Sequence, residues 1–168
     1  RIGRLQQAEL AGAGTIAGED PIRGLSLGAD ADSLWVATTR CDGKVAGTGD
    51  DERCVGRQYV EVAVSKDAGR TSSVELDTRT FELPGIGAPR VARPLWGSGR
   101  TALALVTDDV SGRSGLVSVG GAAPSWLGTF ERMRSACATS TGAYVVEAAP
   151  SDVEHAMVDV VIHRWIGT

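Results

Sequence analysis

An all-β fold is predicted by three features of the sequence. Twenty-two glycines and 6 prolines punctuate a chain whose apolar runs are short, which favours many turns and short strands over long helices. Residues 59–65 alternate strictly, with Val60, Val62 and Val64 on one face and Tyr59, Glu61, Ala63 and Ser65 on the other, the two-residue period of a half-buried strand. Strand signals then recur in three groups. The positions that close the third strand of each group, Ser65, Ser118 and His163, stand 53 and then 45 residues apart, a spacing close to repeats of roughly 40–50 residues.

Taken in order, residues 1–19 carry no firm pattern: Leu5 to Leu10 suit a short helical turn, Ala8 to Ala17 a loose edge strand. From Asp20 the punctuation sharpens. Residues 21–27 read as an inner strand, 28–32 as a turn, and 33–41 as a second strand ending at Cys41. A long polar loop, Asp42 to Gly56, leads to the third strand, and Val74 to Asp77 gives a fourth. The second group repeats the order with strands at 89–96, 101–107 and 115–119, and the third with 133–138, 143–148 and 157–162. The units are therefore 20–78, 88–130 and 131–168, the last cut short at His163-Arg-Trp-Ile-Gly-Thr, where a turn is expected.

Composition narrows the class. With 168 residues, 42% apolar and 23% charged, the chain is long enough for one good core and is not of disordered type. A net charge of −4 and a pI near 5.2 leave no general footprint for nucleic acid, and no run of ~18 apolar residues offers a helical membrane span. The chain begins at Arg1 without a signal pattern, so a processed product or an excised fragment is expected. Cys41 and Cys54 bracket the 42–56 loop. A disulfide between them is the expected state, stabilising by about 3 kcal/mol on chain-entropy grounds, the alternative being two thiols in a reducing compartment. Cys137 is read as a small buried strand residue.

The turn after the alternating strand is Ser65-x-Asp67-x-Gly69-x-Thr71. Its short carboxylate and hydroxyls can bond nearby backbone amides, and glycine permits a tight reversal. These residues resemble the Asp-box, or BNR repeat, of sialidase-like β-propellers, whose Ser-x-Asp-x-Gly-x-Thr-Trp turn joins the third and fourth strands of a blade; Ser72 stands where that family carries tryptophan. The resemblance implies an incomplete β-propeller of about three four-stranded blades, with residues 1–19 as an outer strand of a neighbouring blade. Ser118 to Trp126 occupies the second box position in degenerate form, without the aspartate. Since a ring takes 4–8 blades, the remainder is expected in another protein chain, a second copy or further sequence of the same propeller. A self-contained β-sandwich is the alternative.

The resemblance does not fix an activity, because the box is a structural turn remote from catalysis in that family. A sialidase reading requires an arginine cluster, a tyrosine nucleophile with a glutamate, and an acid/base carboxylate. Neither Tyr59 nor Tyr144 sits in such a signature, and the 15 arginines are scattered. Gly24-Leu-Ser26-Leu-Gly28 matches a nucleophile elbow, but no helix pattern follows. His155 and His163, with Asp152, Glu154 and Asp159 nearby, make a metal site only if the strand returns both histidines to one place; alternation puts His155 in a loop and His163 at a strand end, which is the simpler account. If the blades are right, the loops after each second strand bring Asp42, Asp50, Asp51 and Glu52, then Asp108 and Asp109, then Asp152 and Glu154 to one rim. Asp50, Asp51, Asp108 and Asp109 are the candidate Ca²⁺ ligands there, with hydrated acidic loops as the simpler account. Trp35, Trp96, Trp126 and Trp165 are read as packing between blades rather than a carbohydrate platform. The leading expectation is a non-enzymatic scaffold or protein-binding part of an exported or cell-envelope propeller. The alternatives are part of a sialidase-like glycoside hydrolase completed from elsewhere, and an independent secreted β-domain that assembles with identical copies.

Overall fold

The computed structural model describes residues 20–29, 33–48, 52–67, 71–98, 101–139, 142–148 and 160–166. The segment 1–19, expected as an outer strand, lies outside them. Among the described residues there is strand and turn and no helix. The first sheet holds β1 (Ile22–Ala29), β2 (Leu34–Ala46), β3 (Arg53–Ser65) and β4 (Ser73–Asp77) in that order. The second holds β5 (Pro89–Ser98), β6 (Thr101–Asp108), β7 (Ser114–Val119) and β8 (Ser125–Phe130), again in chain order. The third pairs β9 (Met133–Thr139), β10 (Gly142–Ala148) and β11 (Val160–Ile166). All neighbours are antiparallel. Each sheet is thus an up-and-down meander without the long return connections of a Greek key, which is the connectivity of consecutive blades. The three sheets close no barrel or ring.

The alternation in β3 decides the main core. Val60, Val62 and Val64 join Trp35, Ala37 and Leu76 against Ala102, Ala104 and Val106 of β6 and Val117 and Val119 of β7. The other face of β6 presents Leu103 and Leu105, which with Leu116 and Phe130 pack on Ala143 and Val145 of β10. Both faces of the middle sheet are therefore buried, and its central strands read as continuous apolar runs rather than alternating ones. Burying each such large side chain stabilises by about 1.5–3 kcal/mol. Of the described tryptophan side chains, Trp35 is buried in this core and Trp126 packs against it. Trp126 lies over Gly115, where a Cβ would stand only 1.9 Å from its ring.

Three expectations are corrected. The stretch Asp42 to Gly56 is a continued ladder: β2 runs to Ala46 and β3 begins at Arg53, with Ala46 facing Arg53. Its residues look loop-like because most are exposed, yet their backbones pair. In the register Cys41 faces Gln58 and Cys54 faces Val45, but the two cysteines form a disulfide with Cα atoms 5.5 Å apart. The ladder doubles back at the facing pair Gly43 and Gly56. A Cβ on Gly56 would lie 2.0 Å from the carbonyl oxygen of Asp42, so only glycine allows the fold-back. Next, His163 belongs to β11 and faces Val145 instead of forming a turn; the ladder with β10 continues through Arg164 and Trp165 to Ile166, opposite Gly142. Last, Cys137 is an exposed free thiol on β9, because β9 is an edge strand whose alternate residues face outward. At the second box position Ser118 is the penultimate residue of β7 and Trp126 lies in β8, the third and fourth strands of that sheet joining through 120–124.

Candidate functional site

Antiparallel order places the Ser65–Thr71 turn at one end of the first sheet and the β2–β3 hairpin tip with the β4–β5 connection, residues 78–88, at the other. At the first end Asp67 is the organising group. Its Oδ1 accepts from the Ser65 hydroxyl at 2.8 Å and the Thr71 amide at 2.8 Å, and its Oδ2 from the Thr71 hydroxyl at 2.6 Å. Gly69 lies outside the described residues. Among the described residues Asp67 thus ties Ser65 to Thr71 across the turn.

At the opposite end the predicted acidic residues have separate fates. Asp108 is 4% exposed. Its Oδ2 takes the Gly87 and Ala88 amides at 2.5 and 2.8 Å, and its Oδ1 those of Val110 and Ser111 at 2.9 and 2.7 Å. Burial opposes its ionisation, but the amide bonds outweigh it and hold the carboxyl well below the usual carboxylate range. Asp109 is ion-paired with Arg90 at 2.7 Å. Asp50, Asp51, Asp152 and Glu154 lie outside the described residues, and Asp42 belongs to β2. Among the described residues no group of three or more His, Cys, Asp or Glu side chains is arranged to hold a metal ion.

The structure brings together a polar cluster that spacing alone did not reveal. Tyr59 and Glu61 share the face of β3 opposite the valines, and both are buried. Arg40, 1% exposed, meets Glu61 at 2.6 Å from the neighbouring strand. Arg79 reaches Glu61 at 3.2 Å and Asp77 at 2.8 Å, and its guanidinium lies 4.1 Å from the centre of the Tyr59 ring. The Tyr59 hydroxyl donates to Asp20 at 2.7 Å. Burial, the bond to Asp20 and the charge of Glu61 push the phenol above its ordinary range against the opposing pull of Arg79. The Asp77 carboxyl, although disfavoured by burial, is lowered by the side-chain and backbone bonds from Arg79. The Tyr59 hydroxyl is thus bonded to Asp20, and the Glu61 carboxylate is shared by Arg40 and Arg79.

A similar use of charge occurs in the third sheet. Glu147 Oε1 accepts from the amides of Glu131 and Arg132 at 2.6 and 3.2 Å, and Oε2 lies 3.2 Å from His163 Nε2. His163 also meets the Phe130 ring edge-on at 5.1 Å. His155 lies outside the described residues. Ser26 lies within β1 with no helix after it, so the nucleophile-elbow geometry is not formed.

Two adjoining clefts open at the hairpin end of the seam between the first two sheets. One, of about 430 Å³, is lined by Arg57, Gln58, Arg79, Glu82, Leu83 and Ile86 among others. The other, of about 450 Å³, is lined by Arg23, Arg53, Arg57, Gln58, Asp109 and Val110 among others. Arg57, Gln58 and Gly87 belong to both. Gln58 ties the walls by accepting from Arg23 at 3.1 Å and donating to the Pro89 carbonyl at 3.0 Å. No strand pattern signals these clefts, since their residues come from four segments.

Searches against known protein families, curated proteins and solved structures return no match to this chain.

Proposed function

We propose that the chain is a non-enzymatic, protein-binding part of an Asp-box-like β-propeller, whose remaining blades are supplied by another chain or by further sequence. The observation that carries the non-enzymatic reading is the state of Tyr59 and Glu61: the best-placed tyrosine–glutamate pair is immobilised by Asp20, Arg40 and Arg79. The Asp67 knot and the three stacked meanders support the propeller part of the reading. The Cys41–Cys54 bond suits an exported or envelope location, where such bonds persist.

A second reading, a portion of a glycoside hydrolase, draws on the same juxtaposition of Tyr59 and Glu61 with two arginines. The two separate in one assay. Purified chain incubated with fluorogenic aryl sialosides and aryl glycosides is expected to release no fluorophore above the blank. Release that disappears in Tyr59→Phe overturns the binding-module reading in favour of the hydrolase.

A further inference from the structure

We infer that the double cleft between the first two sheets is a docking groove for an extended acidic segment of a partner protein. The inference rests on the binding-module reading above and adds its partner chemistry.

Charge accounting points to this groove. Four described arginines meet carboxylates, Arg40 with Glu61, Arg79 with Asp77, Arg90 with Asp109 and Arg113 with Glu131. Among the described residues the exposed Arg93, Arg132, Arg134 and Arg164 form no ion pair but line neither cleft. Arg23, Arg53 and Arg57 converge on one cleft, and among the described residues none forms a close ion pair, although the charge of Arg57 acts on Asp77 and Asp42 stands opposite it in the β2–β3 ladder. Among the described residues Arg23 donates to neutral oxygens, those of the Gln58 side chain and the Glu52 carbonyl. Arg57 gives one bond to the Thr78 carbonyl at 3.1 Å and is otherwise exposed between the two cavities. Of the acidic residues lining the two clefts, Asp109 is held by Arg90 and Glu82 faces the first; Asp42, opposite Arg57, and Glu52, next to Arg53, are exposed and line neither. A guanidinium offers five donors in a planar fork matched to a carboxylate.

Size and surroundings choose the occupant. The two cavities share a wall and are each larger than a single carboxylate needs, so they suit an extended chain. Leu83, Ile86, Pro89 and Val110 add apolar contact along the walls. A molecule of net charge −4 repels a long polyanion over the rest of its surface, whereas a short acidic peptide feels chiefly the local excess. Asp108 fixes the Gly87–Ala88 wall through its amide bonds.

The test uses fluorescence anisotropy of a labelled ten-residue peptide of alternating Glu and Gly, with a Gln/Gly peptide of the same length as control. The acidic peptide is expected to bind and the control not to bind. Arg57→Gln is expected to weaken binding about tenfold and Arg53→Gln with Arg57→Gln further, as for loss of charge-assisted bonds. Arg134→Gln, on the exposed side of β9, is expected to leave binding unchanged, and unaltered melting curves show that the variants fold. Equal weakening by Arg134→Gln and Arg57→Gln, no binding of the acidic peptide, or tighter binding of a single-stranded oligonucleotide each overturns the groove assignment. The same samples run in the glycoside assay keep the outcomes apart. Absent peptide binding with no turnover removes the groove alone, and turnover removes the binding-module reading beneath it.

Discussion

Asp67 accepts two hydroxyls and one amide from within residues 65–71, whereas Asp108 gathers four amides from the segments 87–88 and 110–111. The first arrangement is local and follows from residue types at short spacing. Replacing Asp67 by Ala is expected to cost about 1–2 kcal/mol through the lost bonds, read as a lower melting temperature with retained fold. For Asp108 two amides are local and two come from the segment before β5 at the same end of the second sheet, and nothing in Asp108-Asp109 signals that one carboxylate is buried and the other surface-paired. Asp108→Asn keeps the shape but turns an N–H₂ toward donors, at an expected cost of about 2–3 kcal/mol. Because the folded carboxyl titrates below its unfolded value, its contribution is complete above about pH 5 and is lost as pH falls through the acid range. The wild type should therefore lose more stability between neutral and acid pH than Asp108→Asn does; equal losses in thermal melts would remove this role.

At the scale of elements, the period in β3 was legible and the length of its hairpin was not. Residues 42–46 and 53–57 are polar, glycine-bearing and mostly exposed, so no buried face marks them as strand. Cross-strand hydrogen bonds and a covalent tie hold them instead. The tie was legible from cysteine spacing, but the doubling-back at Gly43 and Gly56 that lets it form was not. Gly56→Ala is expected to destabilise by about 2 kcal/mol or more and to slow formation of the disulfide, since the added carbon meets backbone. Thiol alkylation followed by intact mass should show one reactive cysteine in the native protein, the exposed Cys137, and three after unfolding with reductant. Labelling of all three without reductant would contradict the bond.

Across the whole molecule, the middle sheet is the structural pivot, with a core on each face. The third sheet has only its inner face covered by described residues. Val161 and Ile162 of its edge strand β11 are 45% and 63% exposed. An edge strand that exposes large apolar side chains is a template for further pairing, even with the exposed Arg164 on it. The isolated chain is accordingly expected to self-associate with rising concentration in sedimentation velocity, and Ile162→Lys to reduce that association. A concentration-independent monomer would argue that this edge needs no cover.

The sequence by itself determined the all-β class, the meander of short strands, the Asp67 turn and the pairing of Cys41 with Cys54. All of these rest on alternation or on contacts between residues near in sequence. Tertiary structure alone decided the two-faced burial of the middle sheet, the amide cage of Asp108, the locking of Tyr59 and Glu61, and the arginines left facing one cleft. Each of those depends on which strands become neighbours, and that choice is made by burial and charge pairing between segments tens of residues apart.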